Sequence, residues 1–324
     1  MKLLPKWVLI FSLLFAAGNI FIFINRNRKF EYVKYSGMDE LYPYEASTSF
    51  LNKWNKNNQL FTTAELEQGK SVIKKQTGAD TVSDETTKVI KIASWLYKFF
   101  NQQQGIPETQ LSMLTPFQQY NYLIAHKEKK LWCGHFQRMF GFFCTVAGLQ
   151  NRYVEIVPIK DSANVGYHEV NEVYLPATKK WVMVDITRNL FLISKNDQAL
   201  SAAQYFDYRV KEQPVALLIT SFDSTTVISK LMPKENFSTD IYFNKNYFLR
   251  YYINFNLSEV YSPIQKFQKY IFPKPWYEIY SPGSSGTNFF FRIKQFFFFG
   301  LLVLMIMMLF YLVKNKWRQS GLKK

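Results

Sequence analysis

Three residues stand in an order that suits covalent acyl chemistry. Cys133 lies in Leu-Trp-Cys-Gly-His, His168 opens His-Glu-Val-Asn-Glu-Val-Tyr-Leu, and Asp185 closes Trp-Val-Met-Val-Asp. A thiol can attack a carbonyl, an imidazole can take the thiol proton and return it, and a carboxylate can hold that imidazole in one tautomer and steady its charged form. A cysteine, a histidine or an aspartate alone in an apolar segment is more often structural. The three together, in this order, form the candidate site Cys133, His168 and Asp185.

The chemistry requires particular elements around these residues. Phe136, Met139, Phe140, Phe143, Val146 and Leu149 recur at steps of three and four, so residues 133–149 read as a helix that Cys133 opens. The unpaired amides at a helix N-terminus carry partial positive charge, which favours a thiolate. Gly134 leaves room for close approach. Cys144, 11 residues further along the same helix, lies about 16 Å away along the axis, too far for a bridge, and reads as a structural cysteine.

After this helix the period changes to two. Residues 152–158, 167–175 and 181–185 read as strands, with a turn at 176–180 between the last two. On the first strand of that hairpin His168, Val170, Glu172 and Tyr174 share a face; on the second Trp181, Met183 and Asp185 do. The two faces coincide only if paired residue numbers sum to an odd number, which a loop of residues 176–179 provides. Asp185 could then bond one ring nitrogen of His168 while the other faces Cys133.

The other histidines offer less. His126 sits in a charged Lys-Glu-Lys-Lys run, and His135, two residues past Cys133, points elsewhere on the helix and could line the cleft. Zinc on Cys133, His135 and His168 is conceivable, but the spacing matches no compact ligand pair. The sequence therefore calls for no metal and no cofactor.

The segments Cys133-Gly134, His168-Glu-Val-Asn-Glu-Val-Tyr and Trp181-Val-Met-Val-Asp185 resemble the transglutaminase-like superfamily over about residues 85–190. That resemblance implies a papain-related α+β fold, helices followed by an antiparallel sheet, with Cys133 as nucleophile, His168 as base and Asp185 as orienting acid. The chain departs from the pattern at Trp132, where a small residue is frequent, at Val170, where an aromatic is frequent, and at Ile186, where proline is. Bulk beside the nucleophile bears on the shape of the acyl pocket. For the oxyanion donor, the Cys133 amide is the default and Trp95 or an upstream polar side chain the alternative.

Upstream, Thr63-Ala-Glu-Leu-Glu looks like a helix start within a helical stretch, 62–130. Residues 84–100 carry the apolar stripe Val89, Ile90, Ile92, Ala93, Leu96, Phe99 and Phe100, stopped by Asn101-Gln-Gln-Gln-Gly105. Residues 30–60 read as a connector, 281–286 as a linker, and 186–288 give no legible order. Two Asn-x-Ser sequons, at Asn236 and Asn256, read as chance.

Two apolar runs, residues 7–24 and 296–313, bracket the chain, each about 27 Å long as a helix. Small residues Ala16-Ala17-Gly18 could mark a cleavable leader, but the apolar run continues past them, as an uncleaved anchor does. The net charge of +16 is concentrated at these flanks: 12 lysines and arginines lie within residues 1–29 and 292–324, leaving +4 for residues 30–291. That modest excess, without a basic stripe, argues against a nucleic-acid partner. Five positive residues after the second run place the C-terminus in the cytoplasm, so two spans place the N-terminus there too and the middle outside.

The expected organisation is an N-terminal transmembrane anchor at 1–29, a transglutaminase-like domain at 30–288 with an aromatic-rich part at 191–288, and a C-terminal transmembrane helix with basic tail at 289–324. The expected location is the cell membrane, with an extracytoplasmic domain. A thiol hydrolase or acyltransferase acting on amide or ester bonds of a peptide or protein, through a thioester, heads the readings. A catalytically inactive, membrane-tethered interaction module is the alternative. The aromatic segment 242–280 could lie at the bilayer interface in either case.

Overall fold

In the computed structural model, the described residues are 6–24, 33–36, 61–159, 166–211, 217–223, 226–232, 241–252, 276–279 and 289–321. The connector expected at 30–60 lies largely outside them, and the 281–286 linker and both sequons lie wholly outside. The first apolar run forms helix α1 (Lys6–Ile24). The helical region expected over 62–130 consists of four helices. Helix α2 (Thr63–Gln76) begins at a capping box in which Thr62 Oγ1 accepts from the Glu65 amide (3.2 Å) and Glu65 Oε2 accepts from the Thr62 amide (2.9 Å). Helix α3 (Glu85–Phe100) is capped by Asp84, whose Oδ2 accepts from the Thr87 amide at 2.7 Å. It buries Val89, Ile92, Ala93, Leu96 and Phe100, whereas Phe99, expected in the same stripe, turns outward. A 3₁₀ turn (Asn101–Gln103) ends it, and two short helices follow, α4 (Thr109–Met113) and α5 (Pro116–Ala125).

Helix α6 (Cys133–Val146) is buried over most of its surface, including the polar His135 and Gln137. It packs against α2, α3 and α5 and against strands β2 (Asn151–Pro158) and β3 (His168–Leu175). Its approach to the sheet is close, because a Cβ on Gly141 would land on the Tyr153 hydroxyl and within 2.9 Å of Asn151 Oδ1. Polar latches fix the packing. Gln137 Nε2 donates to the Val170 carbonyl (2.7 Å), Asn171 Nδ2 to the Gln137 carbonyl (3.1 Å), and Asn151 Nδ2 to the Gly141 carbonyl (3.1 Å). All three side chains are buried, so each bond satisfies a group that water cannot reach.

The remaining elements are β1 (Val33–Ser36), β4 (Lys180–Val184), β5 (Leu192–Lys195), β6 (Gln198–Ala199), helix α7 (Ala202–Val210), β7 (Leu217–Asp223), β8 (Thr226–Met232), β9 (Tyr247–Tyr252), β10 (Trp276–Ile279) and helix α8 (Phe289–Gly321). One sheet runs β1-β10-β9-β2-β3-β4 and a smaller one β6-β5-β7-β8. The β3–β4 hairpin pairs Leu175 with Lys180 and Asn171 with Val184. That register is the odd-sum pairing expected for a loop of residues 176–179, and Lys179 in the turn has the left-handed φ of 54°.

The face of the large sheet opposite α6 supplies Val154, Ile156, Val170, Trp181 and Met183 to a core completed by Ile193, Tyr205, Phe206, Leu217 and Phe243. Inside it lies an ion pair. Arg152 and Glu172, directly opposed on β2 and β3, are both fully buried and bond through Arg152 Nε at 2.6 Å and through Nη2. The guanidinium is sandwiched between the rings of Trp181 (4.1 Å) and Tyr251 (4.7 Å). Glu172 Oε1 also accepts from the Ala202 amide (2.6 Å) and the Tyr251 hydroxyl (3.1 Å), so one carboxylate ties β2, β3, β9 and the start of α7 together.

The described residues fall into two compact units, one containing α1 and α8, the other containing α2–α7 and β2–β9. In the first, Lys6–Ile24 and Phe289–Asn315 are long and apolar enough to cross a membrane. Helix α8 begins seven residues before the apolar run read at 296–313. The two helices pack antiparallel: Gly18 faces the Phe297 ring, and Gly300 faces Phe15. Asn19, one of the two polar residues in the first run, donates from Nδ2 to the Phe15 carbonyl of its own helix (2.8 Å) and to the Phe297 carbonyl of α8 (2.9 Å).

Candidate active site

The segment that delivers Cys133 is held from both sides. Leu131 pairs with Gln104, its amide donating to the Gln103 carbonyl (2.9 Å) and its carbonyl accepting from Gly105 (3.1 Å). Trp132, half exposed, then stops the extended backbone, and Cys133 is the first residue of α6. The sulfur-bearing residue is half-buried. Its amide, like the others that open a helix, has no intrahelical acceptor, and it makes no backbone hydrogen bond among the described residues.

The third residue of the helix caps its start. His135 is buried; its Nδ1 accepts from the Trp132 amide (3.2 Å), which leaves Nε2–H to donate to Ser112 Oγ (3.3 Å). Burial, and then the positive charge of Arg138, pull its pKa down to about 3, so the ring stays neutral. With both nitrogens engaged, His135 holds the helix that Cys133 opens in place and does not line the cleft. Gly134 makes room for the Glu169 carboxylate, whose Oε2 would be 2.9 Å from a Cβ at that position.

His168, buried at the start of β3, receives its partners from two directions. Nε2 lies 2.6 Å from Asp185 Oδ2, and Cys133, at the start of α6, is close enough to favour the charged form of the ring. Continuing the β3–β4 register by one residue sets Asp185 beside Val170, so His168 and Asp185 are diagonal neighbours on one face, within reach of a long side chain. Burial is the largest single influence on His168 and opposes its charge. The Asp185 charge and hydrogen bond, together with Cys133, outweigh it and raise the pKa to about 10. The ring is therefore an imidazolium at neutral pH.

Asp185 is set by a tight turn. Its amide and carbonyl exchange bonds with Leu190 (2.7 and 2.8 Å), Asn189 adopts a left-handed φ of 59°, and Oδ1 accepts from the Arg188 amide at 3.2 Å. Gln104 bridges this turn to the strand before the cysteine, donating from Nε2 to Asn101 Oδ1 (2.7 Å) and the Thr187 carbonyl (3.2 Å). The elements carrying Cys133 and Asp185 are thereby linked without passing through His168.

The expectation that Trp95 could serve the oxyanion needs correction. Trp95 is not positioned as an oxyanion donor: its ring packs on Tyr120 (5.6 Å) and Phe143 (4.9 Å), and Phe143 lies ten residues, about 15 Å, down α6 from Cys133. Glu172, on the His168 face of β3, serves the buried Arg152 rather than the site. One neighbour of the site had no signal in the sequence. The Tyr242 ring lies flat on His168, centroids 4.4 Å apart and planes 13° apart.

No family model and no curated protein matches the sequence. A crystal structure of a candidate cysteine protease from Cytophaga hutchinsonii is similar to 38% of this chain, with 20% identity and a TM-score of 0.30. The match spans 38% of that chain as well, too little to assign either fold or activity.

Proposed function

We propose that this chain is a membrane-anchored cysteine enzyme of acyl chemistry, related to the transglutaminase-like superfamily, in which Cys133 is the nucleophile, His168 the acid–base and Asp185 the orienting group. One observation carries this reading: His168 is held at 2.6 Å by the buried Asp185 carboxylate, and the charge of its ring responds to a cysteine that opens a helix. Cys133 attacks an amide or ester carbonyl of a peptide or protein, its thiol proton passing to His168. The tetrahedral oxyanion forms beside the Cys133 amide. His168 then returns its proton to the leaving nitrogen or oxygen, leaving a thioester on Cys133. Water releases the acyl group in a hydrolase and an amine does so in an acyltransferase; hydrolysis is the favoured outcome because no amine site is legible.

The paired helices α1 and α8 anchor the domain in the cell membrane, and the five positive residues after the second span favour a cytoplasmic C-terminus with the catalytic unit outside. The test is alkylation of the full chain with iodoacetamide across pH, comparing wild type with Cys133→Ala and His168→Ala. A site of this kind labels at Cys133 well below the pH at which a free thiol ionises, and loses that reactivity with His168. Labelling of Cys133 as an ordinary thiol near pH 8.5, indifferent to His168, would leave a non-catalytic tethered module. Protease digestion of residues 30–290 only after cell lysis would reverse the orientation.

A further inference from the structure

A single bond to Asp185 does not fix an imidazole ring, because the ring can still tilt about that contact. The feature that removes this freedom comes from 74 residues further along the chain. Residues 241–247 form a tight loop in which the Asn246 amide donates to Asn244 Oδ1 (2.9 Å), Asn244 Nδ2 to the Ile241 carbonyl (3.1 Å) and the Tyr247 amide to the Asn244 carbonyl (3.1 Å). Phe243 drives into the core, 1% exposed, with its ring on Tyr205 at 4.7 Å and Phe206 at 6.3 Å. Tyr247 opens β9, which pairs with β2 at Pro158, two residues from Ile156, the β2 residue opposite His168. Tyr242 is thus delivered by a loop anchored on both sides, and its ring is braced edge-on by Tyr247 at 6.1 Å.

We propose that Tyr242 is a positioning residue of the Cys133–His168–Asp185 site, whose ring fixes the plane of the imidazole, keeps water from the His168–Asp185 hydrogen bond, and stabilises the charged imidazolium through its π face. This rests on the reading of the site as an acid–base pair. The near-parallel stack at 4.4 Å is the geometry in which a planar cation meets the negative face of an aromatic ring. Excluding water from one face lowers the local dielectric, and the 2.6 Å bond to Asp185 strengthens accordingly. The groups that act on the charge of His168 are Asp185, from the end of β4, and Cys133, from the start of α6. Tyr242 adds no charge; it works through cover and quadrupole.

The chain has three histidines, so the ring resonances of ¹³C-labelled His168 can be assigned by single substitution and titrated in the full chain in detergent micelles. Tyr242→Phe keeps the stack and titrates as the wild type. Tyr242→Leu keeps cover without a π face and lowers the proton affinity of His168 roughly three- to tenfold; Tyr242→Ala, losing both, lowers it by roughly tenfold or more. Iodoacetamide labelling of Cys133 at pH 6–7 falls in the same order. His168 titrating unchanged in the Leu and Ala variants, or Phe behaving as badly as Ala, overturns the proposal while leaving the acid–base pair intact. Should Tyr242→Ala fail to fold, the Phe and Leu variants still decide. A wild-type His168 that titrates near 6.5 and ignores Cys133→Ala instead defeats the acid–base reading itself, and with it the role of Tyr242.

Discussion

Asp185→Asn is the substitution that separates charge from geometry at this site. Asparagine is nearly isosteric, its Oδ1 can accept from His168 Nε2–H, and its backbone can keep the exchange with Leu190 at 2.7 and 2.8 Å. What disappears is the negative charge 2.6 Å from the ring, the largest of the influences that favour the imidazolium. Burial is then opposed by Cys133 alone, and the His168 pKa drops from about 10 toward its ordinary 6.5. At roughly 1.4 kcal/mol per unit, the difference between charged and neutral ring is on the order of 5 kcal/mol, an upper figure because relaxation and water entry soften it. The sign for stability follows. In the wild type the raised pKa contributes stability that is fully present below about pH 6.5 and is lost as pH rises toward 10; in Asp185→Asn this slope vanishes. Iodoacetamide labelling of Cys133 at pH 6–7 should fall by roughly ten- to a hundredfold, with the pH profile moving toward that of a free thiol near 8.5. A labelling profile and His168 titration that superimpose on the wild type would refute the electrostatic account, whatever the activity.

Three further outcomes test the frame that carries the site. Glu172→Ala removes the carboxylate that accepts from the buried Arg152 side chain and should cost about 3–5 kcal/mol in urea unfolding followed by tryptophan fluorescence, with Arg152→Met/Glu172→Leu recovering most of it; a loss under about 1 kcal/mol would contradict the structural role. Gly141→Ala forces a methyl group onto the Tyr153 hydroxyl and should destabilise by about 1–3 kcal/mol in the same assay, whereas no change would mean that α6 sits further from the sheet. Asn19→Leu removes the bond to the Phe297 carbonyl, about 0.6–1 kcal/mol in a membrane, and should reduce disulfide trapping between Phe15→Cys and Phe297→Cys two- to fivefold in a background lacking Cys133 and Cys144; undiminished trapping would show that the Asn19 bond does not hold the pair together.

How the site could be read in advance depends on the range of the interactions involved. Cys133 at a helix start follows from the step of apolar residues after it, and the meeting of His168 with Asp185 follows from strand period and loop length, all within a few residues of each other. The parity rule works because a sheet has a period of two and a four-residue turn leaves no choice of face. Where the reading failed, the missing information was packing. Trp95 and Phe99 belong to the same helical pattern as the buried residues of α3, yet the pattern does not say which neighbour each one meets. Glu172 shares a face with His168, and only the register of β2 against β3 shows that a buried arginine claims it.

The sequence by itself determined the helix that Cys133 opens, the hairpin that aligns the histidine and aspartate, and two membrane-length helices at the ends, because periodicity, turn length and apolar run length are local properties. Only the tertiary structure decided what surrounds them. It set the neutral His135 capping the cysteine's helix, Glu169 against Gly134, the Gln104 bridge, the Arg152–Glu172 pair in the core, and the Tyr242 ring on His168. Each of these joins segments whose proximity depends on how helices and sheets pack, and neither propensity nor spacing along the chain encodes that distance.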